Sequence, residues 1–347
     1  MTEEMTGAEM VIRALADQNV RHLFGYPGGA VLPIYDAIFA QNSVQHILVR
    51  HEQGAVHAAE GYALSTGKVG CVLVTSGPGA TNAVTGLTDA LCDSIPIVCI
   101  TGQVPTHLIG NDAFQECDTV GITRPCTKHN YLVKRIEDLP RVLHEAFHIA
   151  STGRPGPVVV DIPKDIQFAK GIYSKPKDFQ HTGYKPKLKG DIEKVKQAVE
   201  LMAHARRPLF YTGGGIINSG KAASDLLREL VKLTGFPITS TLMGLGAFPA
   251  AEPQWMGMLG MHGTLEANMA MHDCDVMICI GARFDDRITG RVDAFSPGSK
   301  KIHVDIDPSS INTNIHVDVG IVGDCAHVLE DMVRLWRTEA RNADKKA

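Results

Sequence analysis

The sequence predicts an α/β protein made of two doubly wound parallel-sheet domains. Its 347 residues suffice for two domains of roughly 150 residues each. In both halves short apolar segments alternate with helical ones, and strands that are apolar on both sides are typical of a parallel sheet with helices on both faces. Residues 169–190 are rich in Lys, Gly and Pro and have no apolar period, which indicates a linker between the domains.

The predicted first domain, residues 1–168, opens with the helix MVIRALADQ, for which Thr6 and Glu9 match a capping box. Apolar periodicity predicts the elements that follow. In chain order they are strand VRHLF, helix VLPIYDAIFA, strand VQHILV, helix QGAVHAAEGYALS ended by Gly67, strand CVLVT, helix TNAVTGLTDALCD, strand IPIVCIT, helix DLPRVLHEAFHIAS and strand PVVVDI.

The predicted second domain, residues 191–340, has the same alternation. Its elements in order are strand PLFYT, helix AASDLLRELVKLTG, strand FPITST, helix TLEANMAMH, strands VMICIGA and KIHVDID, a short strand near residues 319–323 and the closing helix CAHVLEDMVRLWRTEA. Because strands and helices alternate here too, we expect a second parallel sheet.

Composition excludes several function classes. The net charge of −4 gives no reason to expect nucleic acid as a partner, and no apolar run is long enough to cross a membrane. The acidic start has no signal pattern, so we expect a cytoplasmic protein. The 8 cysteines form no C-x-x-C pair and read as reduced core residues, and the 15 histidines show no metal-binding spacing, so we expect no metal held by this chain alone.

Two glycine-rich turns and one glutamate could carry chemistry in the first domain. GYPGG (25–29) and SGPGA (76–80) each follow a strand and precede a helix, and Glu52 stands between them in the chain at a strand-to-helix junction. Ligands of parallel sheets bind at the carboxyl ends of the strands, where glycine lets the backbone approach them closely. The alternative interpretation is two tight turns and an acidic residue favoured by the helix dipole.

Three stretches of the second domain likewise allow either a ligand-binding or a purely structural interpretation. GGG at 213–215 follows a strand but is not a dinucleotide fingerprint, and the arginines of GARFDDR (281–287) could either bind phosphates or form surface ion pairs. In DIDP (305–308) the carboxylates could contact a ribose or adenine, or Asp307 could cap a helix that starts at Pro308.

These stretches together resemble the large catalytic subunit of acetolactate synthase (acetohydroxyacid synthase), a thiamine-diphosphate enzyme family. The matching segments run from about residue 20 to residue 324 in the family's order. They are FGYPGGAVLPIYDA, RHEQGAVHAAEGYA, TSGPGATNAVTGL, TGQVPTHLIGNDAFQE, TKHNYLV, RPGPVVVDIPKD, MLGMHGTLEAN, GARFDDR and HVDIDP. GQVP, DAFQE and GARFDDR separate this family from most other thiamine-diphosphate enzymes.

The resemblance implies roles for residues of the first domain. Glu52 matches the glutamate that shares a proton with the aminopyrimidine ring of the cofactor, and Gly28, Gly29 and Ala30 match the loop bordering that ring. Gln103 and Pro105 match the GQVP segment. Further implied site residues are Phe114 and Gln115 of the acceptor-pocket segment, Lys164 at the mouth of the substrate channel, and Pro78 and Asn82 among the cofactor-binding residues.

The resemblance also implies a flavin site, in a family where FAD does no net redox work. Its expected residues are Arg154, Gly213, Gly214, Gly215, Thr241, Leu242, Gly260, Met261, His262, Gly281, Ala282, Arg283, Asp285, Arg287, Asp305, Ile306 and Asp324.

One departure concerns the diphosphate end of the cofactor. The family binds the diphosphate through Mg²⁺ in a third domain with a GDG motif, and no GDG occurs in this sequence. We therefore expect the first two of three domains, with the metal ligands in the third, and expect no acetolactate synthesis by this chain alone.

The resemblance implies pyruvate and 2-ketobutyrate as substrates, a homodimer or tetramer in the intact enzyme, and a small regulatory subunit as a possible partner. We also expect self-association because SGPGATNAVTGL is rich in apolar residues. Two alternatives stay open: another thiamine-diphosphate enzyme, such as a glyoxylate carboligase or pyruvate oxidase, and a catalytically silent flavin-binding fragment.

Overall fold

The computed structural model describes residues 3–176 and 183–344. They form two units, Met1–Lys185 and Pro186–Ala347, and the division falls inside the predicted linker. Residues 177–182 of that linker lie outside the described residues. No helix of the described part of the chain has the length and apolar character that crossing a membrane requires.

The first unit contains eight strands and eight α-helices among its described residues. The strands are β1 (Glu3–Thr6), β2 (His22–Gly25), β3 (Gln45–Leu48), β4 (Gly70–Val74), β5 (Ile97–Gln103), β6 (His129–Leu132), β7 (Pro157–Pro163) and β8 (Lys170–Tyr173). The helices are α1 (Gly7–Asp17), α2 (Leu32–Phe39), α3 (Glu52–Thr66), α4 (Pro78–Asn82), α5 (Val84–Asp93), α6 (Thr119–Thr123), α7 (Leu139–Ser151) and α8 (Lys164–Phe168). Short 3-10 turns lie at Gly29–Val31, Thr106–Leu108, Arg124–Cys126 and Ile136–Asp138.

Six strands of this unit form a parallel sheet in the order β3-β2-β4-β5-β7-β6. Alternate residues of one strand face opposite sides, so Cys71 and Leu73 of β4 pack on the layer that contains α1, α2 and α7, whereas Val72 and Val74 pack on α3 and α5. Both faces are buried, as predicted for a doubly wound sheet.

Three local features of the first unit bear on the predictions. The capping box is confirmed, since Glu9 N donates to Thr6 Oγ1 (3.3 Å) and Thr6 N donates to Glu9 Oε2 (2.7 Å). Gly67 ends α3 in the left-handed conformation, as predicted. Residues assigned to the linker form strand β8, which pairs with β1 in a two-stranded antiparallel sheet. Sequence patterns miss this pair because both strands are short and at least half polar.

The second unit contains six strands and six α-helices among its described residues. The strands are β9 (Pro208–Thr212), β10 (Ile238–Ser240), β11 (Trp255–Met258), β12 (Val276–Ile280), β13 (Lys300–Asp305) and β14 (Val319–Val322). The helices are α9 (Ile192–Ala203), α10 (Gly214–Asn218), α11 (Lys221–Thr234), α12 (Leu265–Asp273), α13 (Asp286–Thr289) and α14 (Cys325–Asp344). 3-10 turns lie at Leu242–Gly244, Val292–Ala294 and Pro308–Ser310.

All six strands are parallel, in the order β11-β10-β9-β12-β13-β14. The chain forms β9, β10 and β11 from the middle of the sheet toward one edge, then returns to the middle and forms β12, β13 and β14 toward the other edge. This is the strand order of the dinucleotide-binding fold. Phe210 and Ile278 face the layer of α9, α11 and α14, and Tyr211 and Met277 face the opposite layer. The two doubly wound sheets predicted from the sequence are therefore confirmed.

Candidate functional site

Glu52 is the first residue of α3, immediately after the edge strand β3 and its short connection. His51 caps this helix, since its Nδ1 accepts a hydrogen bond from Gln53 N (3.1 Å). The Glu52 side chain nevertheless does not point to water, because the residue is 8% exposed. A favourable position at a helix start explains its acidic character, but not its burial.

The strand order places the two glycine-rich turns at the switch point of the first sheet. GYPGG follows β2 and the SGPG turn follows β4, and these two strands are neighbours. From β2 the chain moves outward to β3 and then crosses back to β4, so the direction of winding reverses between β2 and β4. This is the crevice in which open α/β sheets bind their ligands.

Glu52 lies against the SGPG turn. Its Oε2 accepts a hydrogen bond from Asn82 Nδ2 at 2.9 Å. A Cβ atom on Gly79 would stand 3.4 Å from Glu52 Oε1 and 2.7 Å from Thr75 Cγ2. The turn therefore needs glycine at residue 79, and a bulkier residue there would press on the carboxylate.

Thr75 connects this turn to GYPGG. Its Oγ1 accepts a hydrogen bond from Ala30 N (3.2 Å), and a Cβ on Gly28 would come within 2.5 Å of the threonine side chain. A Cβ on Gly29 would meet no atom within 4 Å. Thr75 and Gly79 are not predicted as site residues from the sequence, although both belong to TSGPGA. Their role appears only when β2 and β4 become neighbours.

Gln103 ends β5 and belongs to a buried polar network. Its Nε2 donates to Asp161 Oδ2 and to the Cys117 carbonyl, both at 2.9 Å, and Thr101 Oγ1 donates to Asp161 Oδ1 at 2.7 Å. Burial raises the pKa of Asp161 to about 7, against the opposing effect of the hydrogen bonds from Thr101 and Gln103. The network fixes the segment after Phe114 on the strand ends. A polar residue inside the apolar run PVVVDI was the available signal for Asp161.

The DAFQE segment lies partly on this network and partly in solvent. Phe114 is 88% exposed. Gln115 has φ of 57°, which is unusual for a residue with a side chain, and its carbonyl oxygen would be 2.4 Å from a Cβ on Gly77. Glu116 Oε2 accepts from Ala113 N (3.0 Å) and so closes the turn around Phe114.

Lys164 starts α8 directly after β7 and is half-buried. The next residue, Asp165, accepts a hydrogen bond from Thr106 N at 3.0 Å, which fixes this end of α8 to the loop after Pro105. The structure therefore gathers Glu52, Gly28, Gly29, Pro78, Asn82, Gln103, Gln115 and Lys164 on the carboxyl edge of one sheet.

Most apolar residues of SGPGATNAVTGL are buried, although Pro78 is exposed and Val84 is half-buried. Ala83 and Leu87 are fully buried within the first unit, while the outer side of α5 carries Thr85, Thr88 and Asp89. This segment therefore gives no argument for self-association, and the oligomeric state stays a prediction.

The second sheet has its switch point between β9 and β12, where Gly213 and Gly281 begin the connecting loops. Gly215 N donates to the Gly281 carbonyl (2.8 Å), and a Cβ on Gly213 would stand 2.5 Å from the same oxygen. Gly281 itself has φ of 61°. Both loops can pass this close only because neither carries a side chain there.

Exposed apolar and basic side chains stand at the carboxyl edge of this second sheet. Leu242 is 67% and Met261 71% exposed, and Arg283 and Arg287 are also exposed. Arg287 Nη1 lies 3.5 Å from Asp286 Oδ2, so the surface ion pair predicted as the alternative for GARFDDR is present. This pair does not exclude phosphate binding by the same arginine. Thr241 caps the turn that follows it, because its Oγ1 accepts a hydrogen bond from Gly244 N. The backbone N and O of Gly260 both bond to the Asn268 side chain. His262, two residues later, is exposed.

Several acidic residues of the predicted flavin set already have partners. Asp305 Oδ1 accepts from Asp307 N (2.8 Å), and Asp307 in turn caps the turn at Pro308–Ser310, as the capping alternative predicted. Asp324 accepts from Ala326 N (3.0 Å) and from Ser219 Oγ (2.6 Å). Asp285 caps α13, and Gly214 is the first residue of α10. Ala282 is buried and Ile306 is half-buried.

Arg154 belongs to the first unit, unlike the other predicted flavin residues. Its Nε donates to Ser94 Oγ (2.9 Å) and its Nη2 to the Leu91 carbonyl (3.2 Å). These bonds place the guanidinium at the end of α5.

Both sites fit the groups that the resemblance implies. A buried carboxyl group beside glycine turns suits a polar heterocycle such as an aminopyrimidine. A dinucleotide-type switch point with close glycine contacts and exposed arginines suits a phosphate-containing cofactor such as FAD. Among the residues that the structure describes, His57, Glu60 and Asp89 have ligand atoms close enough for a metal, and they lie outside both sites.

Comparisons with known proteins agree with this architecture. Residues 5–122 match the family described as "Thiamine pyrophosphate enzyme, N-terminal TPP binding domain", and residues 195–332 match "Thiamine pyrophosphate enzyme, central domain". The chain is 53% identical over 339 residues to the acetolactate synthase large subunit of Haemophilus influenzae and 52% identical over 340 residues to the acetolactate synthase isozyme 3 large subunit of Escherichia coli. It is 53% identical over 335 residues to an acetolactate synthase of Mycobacterium bovis.

These alignments cover 96–97% of this chain but 54–59% of the relatives, so the chain spans a little over half their length. The family matches fall one in each structural unit, and the fold of both units agrees with them. The chain therefore belongs to the thiamine pyrophosphate enzyme family and carries its N-terminal and central domains.

Proposed function

We propose that this protein acts in acetolactate synthesis: it decarboxylates pyruvate on thiamine diphosphate and adds the two-carbon unit to a second 2-keto acid, pyruvate or 2-ketobutyrate. The observation that carries the proposal is the buried Glu52 at the switch point of the first sheet, with Asn82 on one oxygen and Gly79 beside the other. The names of relatives that are 52–53% identical support the choice of reaction within the family.

Thiamine diphosphate, when bound, supplies the electron sink for the decarboxylation. In the proposal Glu52 holds the proton that is exchanged with the aminopyrimidine ring. Because Asn82 donates to Oε2, that oxygen is fixed, and Oε1 is the atom that holds the proton. The surrounding turns leave Glu52 8% exposed, so its carboxyl group is largely shielded from water.

The other residues bind and orient in this proposal. Gly28 and Gly29 would let the backbone approach the pyrimidine ring, and Pro78 sets the start of α4 in the neighbouring turn. Gln103, Phe114 and Gln115 shape the pocket of the acceptor keto acid, and Lys164 stands at its entrance.

The second unit is proposed to bind FAD across its switch point, between the loops that start at Gly213 and Gly281. Exposed Leu242 and Met261 offer apolar contact to a flat ring, and Arg283 and Arg287 offer charge to phosphates. Mg²⁺ is proposed to accompany the diphosphate. A cytoplasmic homodimer or tetramer and a small regulatory subunit are likewise proposals, the last supported by the words "large subunit" in the relatives' names.

The test is product analysis with the holoenzyme, isolated with every chain that copurifies with it and supplied with pyruvate, thiamine diphosphate, Mg²⁺ and FAD. We expect acetolactate from the wild type and a loss of at least about a hundredfold in Glu52→Gln, which keeps the size of the side chain but cannot exchange the acidic proton. Acetate or another product from pyruvate would favour a different enzyme of the family. FAD binding with no turnover would favour the silent flavin-binding fragment.

A further inference from the structure

A cluster of one histidine and two carboxylates connects α3 with α5 and takes no part in the site around Glu52. His57 and Glu60 belong to α3, and Asp89 belongs to α5. One potential ligand atom from each lies within 4.8 Å of the others. The sequence predicts no metal site, because its histidines show no known metal-binding spacing. Only the packing of α3 on α5 brings Asp89 to the other two residues.

The three donor atoms already converge. His57 Nδ1 is 2.6 Å from Glu60 Oε2 and 3.7 Å from Asp89 Oδ2. His57 and Glu60 are three residues apart on one helix, so their side chains share a face. Ligand atoms bound to one ion at about 2.0–2.2 Å stand roughly 3 Å apart. Small side-chain rotations are therefore enough to enclose an ion.

Glu60 gives a second, independent indication of a ligand. The residue is 5% exposed, and its Oε1 has no hydrogen-bond partner among the described residues. A buried carboxylate oxygen without a partner is costly, and a bound cation is one way to supply it.

Gln53 supports the histidine from the other side of its ring. Its Nε2 lies 3.3 Å from His57 Nε2. When Nδ1 of a histidine binds a metal, its Nε2 carries the proton, and a half-turn of the Gln53 amide would place Oε1 where it can accept that proton. Ligand histidines commonly have such a partner, which fixes the orientation of the ring.

We propose that His57, Glu60 and Asp89 form a site for a divalent transition-metal ion of the Zn²⁺ class. An imidazole nitrogen with two carboxylate oxygens favours Zn²⁺, Co²⁺ or Ni²⁺ over Mg²⁺ and Ca²⁺, which prefer oxygen ligands alone. The ion fastens α3, the helix that begins with Glu52, to α5. The site is separate from the proposed thiamine and flavin sites and does not depend on the proposed reaction.

The test is calorimetric titration of the metal-free protein with Zn²⁺, followed by Co²⁺ absorption to identify the ligand type. We expect one site per chain, weakened at least tenfold in His57→Gln, Glu60→Gln and Asp89→Asn. Two controls should keep wild-type binding. His204→Gln removes an exposed histidine on another helix end, and Cys92→Ser removes the exposed thiol near Asp89.

Thermal unfolding gives a second readout that does not depend on the calorimetry. Zn²⁺ should raise the unfolding midpoint of the wild type and of the two controls but not of Glu60→Gln, whose circular dichroism without metal shows whether it folds. The proposal is overturned if Zn²⁺ binds no better than to an exposed histidine, if the three substitutions leave binding unchanged, or if the Co²⁺ complex shows thiolate ligation that disappears in Cys92→Ser.

Discussion

Asp161 should make the stability of the first unit fall as the pH rises toward neutrality. Asp161 belongs to β7 and is 1% exposed, and burial raises the pKa of its carboxyl group from 3.8 to about 7. When the folded-state pKa lies above the unfolded value, the stabilising contribution is complete below the unfolded pKa and is lost as the pH passes the folded pKa. The substitution Asp161→Asn removes this titration and keeps the shape of the side chain.

The size of the effect follows from the two pKa values. Between about pH 5 and about pH 7 the folded protein keeps a proton that the unfolded chain has released, and each pH unit costs about 1.4 kcal/mol. Relative to the wild type, Asp161→Asn should therefore gain roughly 2–3 kcal/mol of stability between about pH 5 and about pH 8. The substitution also changes the hydrogen bond with Gln103. This change alters the free energy of unfolding by an amount that is the same at both pH values.

Cysteine labelling in urea measures each unit separately in one sample. Cys99 is fully buried in β5 and reports opening of the first unit, whereas Cys279 is fully buried in β12 and reports the second. Between the two pH values, the urea midpoint of Cys99 labelling should shift by different amounts in the wild type and in Asp161→Asn. The shift of the Cys279 midpoint should be the same in both proteins. An equal offset of the variant at both pH values would refute the raised pKa of Asp161.

Two glycine pairs test the close contacts at the two switch points. Gly28→Ala should destabilise the first unit by about 1–3 kcal/mol, because the added Cβ falls 2.5 Å from Thr75, whereas the Cβ of Gly29→Ala meets no protein atom within 4 Å and should leave the stability unchanged. Both substitutions should weaken thiamine-diphosphate binding, because both glycines border the pyrimidine ring in the proposal. Urea unfolding compares the two stabilities, and equal losses would contradict the packing argument. Gly213→Ala should likewise lower FAD retention and the stability of the second unit by about 1–3 kcal/mol, while Gly298→Ala, with open space around its Cβ, should not. Flavin fluorescence measures retention, and an unchanged Gly213→Ala would remove this turn from the flavin site.

Strong local patterns made most of the fold predictable. The buried strands CVLVT and PVVVDI and the capped helix after Thr6 carry their structure in their own apolar period and polar ends. The pair β1–β8, the edge strands β6 and β11 and the helix α9 were not predicted. These strands are four residues long and lie in a two-stranded sheet or at a sheet edge, where strand formation depends on the neighbouring strand more than on the strand's own residues. Helix α9 was missed although its buried Val195, Ala198, Val199 and Met202 follow a helical period.

A site residue was predictable only where its residue type is itself unusual for its position in the chain. Glu52 and the glycine turns are such cases, because a carboxylate and three glycine-rich turns occur at strand ends. Thr75 and Asp161 did not, because their importance comes from strands that become neighbours in the sheet. The cluster of His57, Glu60 and Asp89 depends on contact between two helices, which no sequence spacing records.

Proton exchange at the thiazolium carbon of bound thiamine diphosphate tests the central claim most directly. Deuterium exchange of the holoenzyme-bound cofactor, followed by NMR after acid quench, should be faster than that of the free cofactor by several orders of magnitude in the wild type and close to the free rate in Glu52→Gln. Glutamine has the shape of glutamate, and its amide oxygen can accept the same hydrogen bond from Asn82, so the variant should still bind the cofactor. Equal exchange rates in wild type and Glu52→Gln would contradict the role assigned to this buried carboxyl group.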